Sequence, residues 1–319
     1  MEIKGSREHS IMVILVTGGC GFIGSNFINW YLGAYEDSII VNIDRVDYCA
    51  KENNVKASDR YILVRGDITD SELVTTTLEK YKIEYIVHFA AQSHVDNSFG
   101  NSLQFTRDNI VGTHTLLECA RRYGKLKRFL HMSTDEVYGE VSLDHPGCDE
   151  LSVLNPTNPY AATKSGAELI VRSYYYSFKL PVIVVRCNNV YGPNQYPEKL
   201  IPKFADLIKK GYKCPVHGDG SSRRNFIHAM DVSRALDIIL QKGELNTVYN
   251  IGTTNEYTVL EITQKLLDIL RPGEVYSDWV EYVEDRLFND FRYSVDSTKL
   301  RGLGWDETIQ FDQGLKMIV

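Results

Sequence analysis

The chain has 319 residues, 43% of them hydrophobic and 24% charged, an ordinary balance for a globular chain of about two domains. Its 35 Lys and Arg against 42 Asp and Glu leave a net charge of −7, which argues against a nucleic-acid partner. No apolar run approaches the roughly 18 residues of a membrane span, and six scattered cysteines without a CxxC pair read as reduced thiols of a cytoplasmic protein, with no metal site.

Residues 1–10, "MEIKGSREHS", are polar and lack the apolar stretch of a secretory signal, so they are expected to be a disordered leader. "IMVILVT" (11–17) reads as a buried strand, and "FIGSNFINWYL" after it has helical spacing. Further strands are expected at "SIIVNID" (38–44), "RYILVRGDI", "EYIVHFA" (84–90), "KRFLHMS" (127–133) and "LPVIVVRC" (180–187). Helical patterns separate them, notably "DSELVTTTLEKY" and a long stretch around 103–123. Continuous apolar strands alternating with helices predict an α/β fold, a Rossmann-type doubly wound parallel sheet. That domain is expected over 11–190, catalytic residues included, with a smaller α+β substrate lobe over 191–319 and an interleaved boundary. Helices at about 199–210, 231–241 and 258–270, with "TVYNIG" between them, are read into the lobe.

"VTGGCGFIGS" (16–25) joins the first strand to the first helix. It fits G-x-G-x-x-G through Gly19, Gly21 and Gly24, and equally G-x-x-G-x-x-G through Gly18, Gly21 and Gly24. Such glycines let backbone turn tightly against a pyrophosphate, whose charge meets the helix amino terminus. The bland reading is an ordinary tight turn, but the strand–turn–helix context favours a dinucleotide. Asp44 ends the second strand about twenty residues later, where a carboxylate suits the ribose hydroxyls of NAD and repels a 2′-phosphate. Arg45 beside it tempers that preference. "GDI" (66–68) and "FAAQSHVD" (89–96) close later strands on the same edge.

"HMSTDEVYGE" (131–140) sets Asp135 and Glu136 side by side just after a strand. "NPYAATKSGAELI" then begins a helix that Asn158 can cap and Pro159 can open. Tyr160 and Lys164 fall one turn apart on its face, where an ammonium is expected to draw the phenol pKa down. Alone, that pair is most often an ordinary surface pair. Following the glycine turn and the Thr134 strand end, it suggests catalysis.

These motifs, the glycine turn, Ser133-Thr134 and Tyr160-x-x-x-Lys164, resemble the extended short-chain dehydrogenase/reductase superfamily of nucleotide-sugar enzymes, from residue 11 to about 315. "STDEVYG" with both acids resembles the 4,6-dehydratases; relatives that only epimerise carry small residues there, and decarboxylating ones have Ser then Glu. The resemblance implies that a hydride passes from C4 of glucose to NAD. Glu136 then takes the C5 proton while Asp135 protonates the departing 6-hydroxyl, and the hydride returns to C6. It makes Tyr160 the base at O4, Lys164 its modulator and Thr134 the group orienting that hydroxyl. One carboxyl must start protonated and the other ionised. The cofactor would be held by Gly18, Gly21, Phe22, Ile23 and Gly24, by Asp44, Asp67 and Ile68, by Ala90, Ala91, Ser93 and Asn109, and by Tyr160 and Lys164.

For the sugar, "CNNVYGPNQYPEKLIPKF" (187–204) and "DRLFNDFRYSVD" (285–296) depart from the bacterial dTDP-glucose pattern at Val190, Asn194, Leu287, Phe288 and Asn289. They look like the dehydratase part of eukaryotic rhamnose synthases, which act on UDP-glucose. UDP-glucose is therefore the expected substrate, with dTDP-glucose the alternative, and later steps toward UDP-rhamnose would need another protein. Ser93, Thr134, Asn189, Lys199, Leu200, Arg224, Asn255 and Arg286 would line the nucleotide sugar, the arginines suiting a pyrophosphate. Arg223 could replace Arg224 in that role, and His94 is kept out of the catalytic set. The superfamily's homodimer, a four-helix bundle, would use about 100–123 and 158–178. The remaining rivals are a 4-epimerase or decarboxylase, which Asp135 beside Glu136 argues against, and a non-catalytic NAD-binding regulator.

Overall fold

The structure is a computed structural model and describes residues 12–284 and 290–319; Arg286, Leu287, Phe288 and Asn289 lie outside them. The large sheet contains β1 (Val13–Thr17), β2 (Ile39–Asp44), β3 (Tyr61–Arg65), β4 (Tyr85–His88), β5 (Arg128–Thr134) and β6 (Val182–Cys187). After the short β7 (Asn189–Tyr191), β8 (Cys214–His217) and β9 (Arg223–His228), it gains β10 (Thr247–Ile251). Among the described residues it has seven strands in the order β10-β6-β5-β4-β1-β2-β3, every pairing parallel. The chain leaves β1 toward β2 and, after β3, returns on the other side to β4. The carboxyl ends of β1 and β4 therefore flank the switch point where such sheets bind ligands.

Helices cover both faces, which is why the strands are apolar along their whole length. α1 (Phe22–Ala34) lies on one face, packing with Ile14, Val16 and Leu236 through Phe27 and Tyr31. α2 (Ser71–Tyr81) covers the other, with Leu15, Val41, Leu117 and Val171 in its layer. Asp70 caps α2 by accepting from the Glu72 and Leu73 amides, both at 3.0 Å.

The stretch read as one helix from 103 to 123 is broken. α3 (Val95–Gly100) and α4 (Ser102–Phe105) lead into a π turn over Thr106–Val111, and only then comes α5 (Gly112–Tyr123). The wider turn buries two consecutive side chains, Asp108 and Asn109, which a regular helix would splay apart. Asn109 accepts from the Gln92 amide at 2.7 Å and donates to Thr163 at 2.9 Å, tying the loop after β4 to α6 (Pro159–Phe178).

The second lobe holds α7 (Leu200–Lys210), the β11 (Glu256–Thr258)–β9–β7 sheet and the β12 (Val280–Val283)–β8 pair. With α9 (Val259–Leu270) and α11 (Phe311–Ile318) they enclose Phe204, Ile208, Val216, Ile262, Leu266 and Phe311. Two segments read into that lobe belong to the large sheet instead. "TVYNI" is the edge strand β10, paired with β6, and α8 (Ala229–Lys242) packs into the α1 layer, while the short α10 (Thr298–Arg301) brings Leu300 beneath it. The reason is non-local: β10 completes a ladder with a strand some sixty residues earlier, which periodicity cannot reveal. Among the described residues no helix is long and apolar enough to cross a membrane, and all six cysteines are free thiols.

Candidate active site

The glycine turn follows β1 directly. Gly18 has a φ of +74°, and a Cβ there would lie 2.7 Å from the Ala90 backbone across the switch point. A Cβ at Gly24 would lie 2.5 Å from the Gly18 carbonyl oxygen, so both positions need glycine for close approach. Gly21 stands at the N-cap of α1 and offers no side-chain cap, leaving the helix's first amides for an anion. Beside the turn a cleft of about 100 Å³ is lined by Gly18, Gly21, Asp44, Asp67, Ile68 and Ala90, with Ala91 at its rim. Phe22, Ile23 and Gly24 continue the turn into α1, while Asn109 stands behind the Ala91–Gln92 backbone. This is a cradle of dinucleotide shape.

Asp44 accepts from the Cys20 and Val46 amides at 2.8 and 2.7 Å. Burial outweighs those donors and holds its carboxyl above the usual range. Arg45 does not reach free into the cleft, because Asp108, Asp47 and Asp67 hold it at 2.5, 2.9 and 3.2 Å. Sequence reading missed Asp108; its only signal was its place beside Asn109.

β5 ends at Thr134, and one turn of 3₁₀ helix carries Asp135 and Glu136. Asn158 caps α6 by accepting from the Ala161 amide at 2.9 Å, and its Nδ2 donates to Glu136 Oε2 at 3.1 Å. The structure thus brings Thr134, Asp135, Glu136, Tyr160 and Lys164 together. Asp135 is buried, with Oδ1 3.2 Å from the Thr134 hydroxyl and Oδ2 accepting from Asn188 Nδ2 at 2.8 Å. Burial drives its carboxyl up against those two donors. Glu136 faces the second cleft and is pushed up to about 7, first by burial and then by Asp135. Both carboxyls are raised, and each charge disfavours the other, so their titrations are coupled.

The expected effect of Lys164 on Tyr160 is corrected. Burial, then the Glu136 charge, push the phenol up, and the hydrogen bond with Thr134 only partly offsets them. Lys164 is itself pushed down to about 8 by burial, and its ammonium donates to the Met132 carbonyl at 2.6 Å. Behind it, Glu168 and Arg186 form an ion pair at 2.8 Å, both almost wholly buried, that keeps some negative charge near the lysine.

The second cleft, about 240 Å³, opens between the two lobes and is lined by Glu136, Asn158, Asn189, Lys199, Leu200 and Arg224 among others. Arg224 rather than Arg223 lines it, its guanidinium over the Tyr293 ring at 4.8 Å and bonded to the Asp290 carbonyl at 2.8 Å. Ser93 is exposed at the rim, its carbonyl accepting from Lys199 at 3.2 Å. Asn255 is exposed outside the lining, and Arg286 lies outside the described residues. Val190 lines the cleft, but Asn194 turns away, donating to Ser25 Oγ at 3.2 Å. His94 sits 3.4 Å from Glu198 across the mouth. Sequence reading missed Asn188, hidden in the "NN" doublet beside Asn189, and the second bond of Asn158. Among the described residues no cluster of three His, Cys, Asp or Glu could hold a metal.

A dinucleotide cradle and a Thr/Asp/Glu/Tyr/Lys centre on a doubly wound sheet with a second lobe define the extended short-chain dehydrogenase/reductase class. Within it the chain belongs to the GDP-mannose 4,6 dehydratase family, which matches residues 15–318. It is 49% identical over 307 residues to the Arabidopsis thaliana trifunctional UDP-glucose 4,6-dehydratase/UDP-4-keto-6-deoxy-D-glucose 3,5-epimerase/UDP-4-keto-L-rhamnose-reductase RHM3, covering 95% of this chain and 46% of that protein. The chain therefore spans about half the length of the rhamnose-forming relatives it matches. It is 45% identical over 312 residues to the Mus musculus dTDP-D-glucose 4,6-dehydratase, covering 96% of this chain and 87% of that one. The crystal structure of the Streptomyces venezuelae dTDP-glucose 4,6-dehydratase DesIV, with NAD and TYD bound, superposes with a TM-score of 0.90 at 42% identity, covering 96% and 95% of the two chains.

Proposed function

We propose that the chain is an NAD-dependent hydro-lyase that converts UDP-glucose to UDP-4-keto-6-deoxyglucose, on the route toward UDP-rhamnose. The observation that carries the reading is the carboxyl pair Asp135–Glu136, both raised, close enough to Tyr160 that both charges act on its phenol. An epimerase or a decarboxylase needs no second carboxyl acid at that place.

NAD fits the first cleft, since the uncapped amino terminus of α1 at the glycine turn offers free amides to a pyrophosphate and Asp44, in the lining, opposes a 2′-phosphate. The turn from Gly18 to Gly24, with Phe22 and Ile23, would hold its pyrophosphate. Asp44 would hold the ribose, Asp67 and Ile68 the adenine side, and Ala90, Ala91, Ser93 and Asn109 the middle, with Tyr160 and Lys164 at the reacting end. Bound NAD supplies a hydride acceptor for C4 and the donor for C6. Tyr160 is assigned as the base at O4, with Thr134 fixing the hydroxyl and Lys164 one turn along the same helix; since burial holds the phenol up, it can accept the O4 proton only once its own has left. Glu136, ionised, takes the proton from C5. Asp135, protonated, gives its own to the leaving oxygen. Arg224, Lys199, Asn189 and Leu200 grip the nucleotide diphosphate, with Asn255 and Arg286 assigned there by resemblance.

UDP-glucose rather than dTDP-glucose rests on the sequence likeness at 187–204 and 285–296; among the described departures only Val190 reaches the cleft, and Leu287, Phe288 and Asn289 lie outside the described residues. Incubation with each sugar nucleotide, followed by mass and NMR, tests both points. Loss of one water from either sugar supports the dehydratase, and preference for dTDP-glucose discards the UDP assignment. We also propose a cytoplasmic homodimer, because Leu103, Val111, Leu169, Tyr176 and Phe178 leave apolar area exposed on the α4–α5 and α6 helices. A monomer mass by light scattering would refute it.

A further inference from the structure

Asn188, at the end of β6, is buried and its carboxamide can stand only one way round. Oδ1 accepts from the Thr253 amide at 3.2 Å, and a backbone N–H can only donate. The NH₂ is therefore the end that faces Asp135, and it donates to Oδ2 at 2.8 Å. Two neighbours lock this orientation. Asn225, next to Arg224 on β9, donates to the Thr253 carbonyl at 2.8 Å and holds that loop. Gly252 leaves the space Asn188 needs, since a Cβ there would lie 2.4 Å from Asn188 Oδ1.

An oxygen that faces an N–H cannot also carry a hydrogen toward it. Oδ2 of Asp135 is thus fixed as an acceptor. Oδ1 accepts from the Thr134 hydroxyl at 3.2 Å, but a hydroxyl can turn its hydrogen away where the Asn188 N–H cannot, so a proton on this carboxyl belongs on Oδ1. We propose that Asn188 is a positioning residue for the elimination step, holding Asp135 so that its transferable proton sits on Oδ1, on the Thr134 side. The inference rests on the dehydratase reading above. In that step Glu136 takes the C5 proton and the C5–H electron pair becomes the C5=C6 double bond. The C6–O bond breaks with its pair, and the oxygen takes the Oδ1 proton and leaves as water.

The test uses the full chain with its cofactor and three variants, Asn188→Ala, Asn188→Asp and Gly252→Ala, with folding checked by thermal melting. Gly252→Ala changes no polar group and crowds the carboxamide, together with a Val295 methyl 2.5 Å from the new Cβ. In single turnovers with UDP-glucose and dTDP-glucose, near-ultraviolet absorbance follows oxidation at C4, and mass follows water loss. Asn188→Ala should leave oxidation intact and slow water loss about 10- to 100-fold, so that reduced cofactor accumulates. Gly252→Ala should do the same to a smaller degree. Asn188→Asp places a second carboxyl against Oδ2 and should move the alkaline limb of kcat/KM up by about one pH unit or more. If Asn188→Ala does not fold, the other two variants decide. Oxidation and water loss falling together, or an unmoved pH profile, would overturn the inference while the dehydratase reading stands. A wild-type chain that releases water from neither sugar would overturn both.

Discussion

Asn158 joins Glu136 to the helix that carries the Tyr160 phenol. Its Oδ1 accepts from the Ala161 amide at 2.9 Å, while its Nδ2 donates to Glu136 at 3.1 Å. A residue that reads in sequence as a helix cap is also a partner of a carboxyl in the cleft. Two variants separate the roles. Asn158→Ala removes both and should cost about 1 kcal/mol of stability through the lost cap. Asn158→Asp keeps the cap, since aspartate serves as well there, but sets a like charge against Glu136 and raises its pKa further. We expect an unchanged melting temperature for the aspartate variant with an acid limb of kcat/KM displaced upward. Equal loss of melting temperature in both would show that the contact with Glu136 sets nothing.

The carboxyl pair predicts a bell. In the proposed step Glu136 is the base and must be ionised, so activity should rise with pH through about 7, where burial and Asp135 have put its pKa. In the proposed step Asp135 is the acid and must keep its proton, which burial favours by raising its carboxyl, so activity should fall where that proton is lost. Glu136→Gln should lower turnover by about 10²- to 10⁴-fold and abolish the acid limb in what activity remains. A profile of kcat/KM from acid to alkaline pH checks it, and a flat wild-type profile would contradict the assignment.

Cofactor choice should depend on the acids around Arg45. With Asp47, Asp67 and Asp108 on it, the guanidinium is not offered to a 2′-phosphate. Asp44→Ala alone should weaken NAD binding without admitting NADP. Adding Asp108→Asn removes the closest carboxylate charge and should improve NADP binding about tenfold, the lower end for a charge-assisted bond. Titration of cofactor-stripped protein with each dinucleotide measures it; no gain for NADP in the double variant would mean that Asp47 and Asp67 suffice.

Much of this was legible in the residues because the relevant signals are local. Each of β1 to β6 is an apolar run bounded by turns, the glycines sit where strand becomes helix, and Asn158-Pro159 announces α6. What escaped is non-local. β10 looks like any short strand until its pairing with β6 is known, and the π turn is invisible until Asn109 is seen reaching Gln92 and Thr163. Asn194 looked like a determinant of the sugar nucleotide, yet its side chain turns to Ser25 and the Asn54 carbonyl. The phenol of Tyr160 was misjudged for a related reason: a four-residue spacing places Lys164 nearby but says nothing of burial, which dominates.

Acid stability follows from three histidines that fold in as neutral rings. His88 lies between Thr17 and Thr113, at 2.6 and 2.9 Å, and burial pushes it down to about 3. His131 lies beside it, its ring tilted by 45° with centroids 5.2 Å apart, and is also pushed down, by burial and then by the Lys164 charge; His228 is pushed down to about 4 by burial. A histidine depressed in the folded state contributes stability that is complete above its unfolded pKa of about 6.5 and drains away as pH falls toward the folded value. His88 alone should then cost about 2 kcal/mol between neutrality and pH ~5, at 1.36 kcal/mol per unit of depression. Urea unfolding at a series of pH values should therefore show stability falling from about pH 6.5 downward, and His88→Gln should flatten part of that slope. An equal slope in the variant would mean that His88 is not the ring that resists the proton.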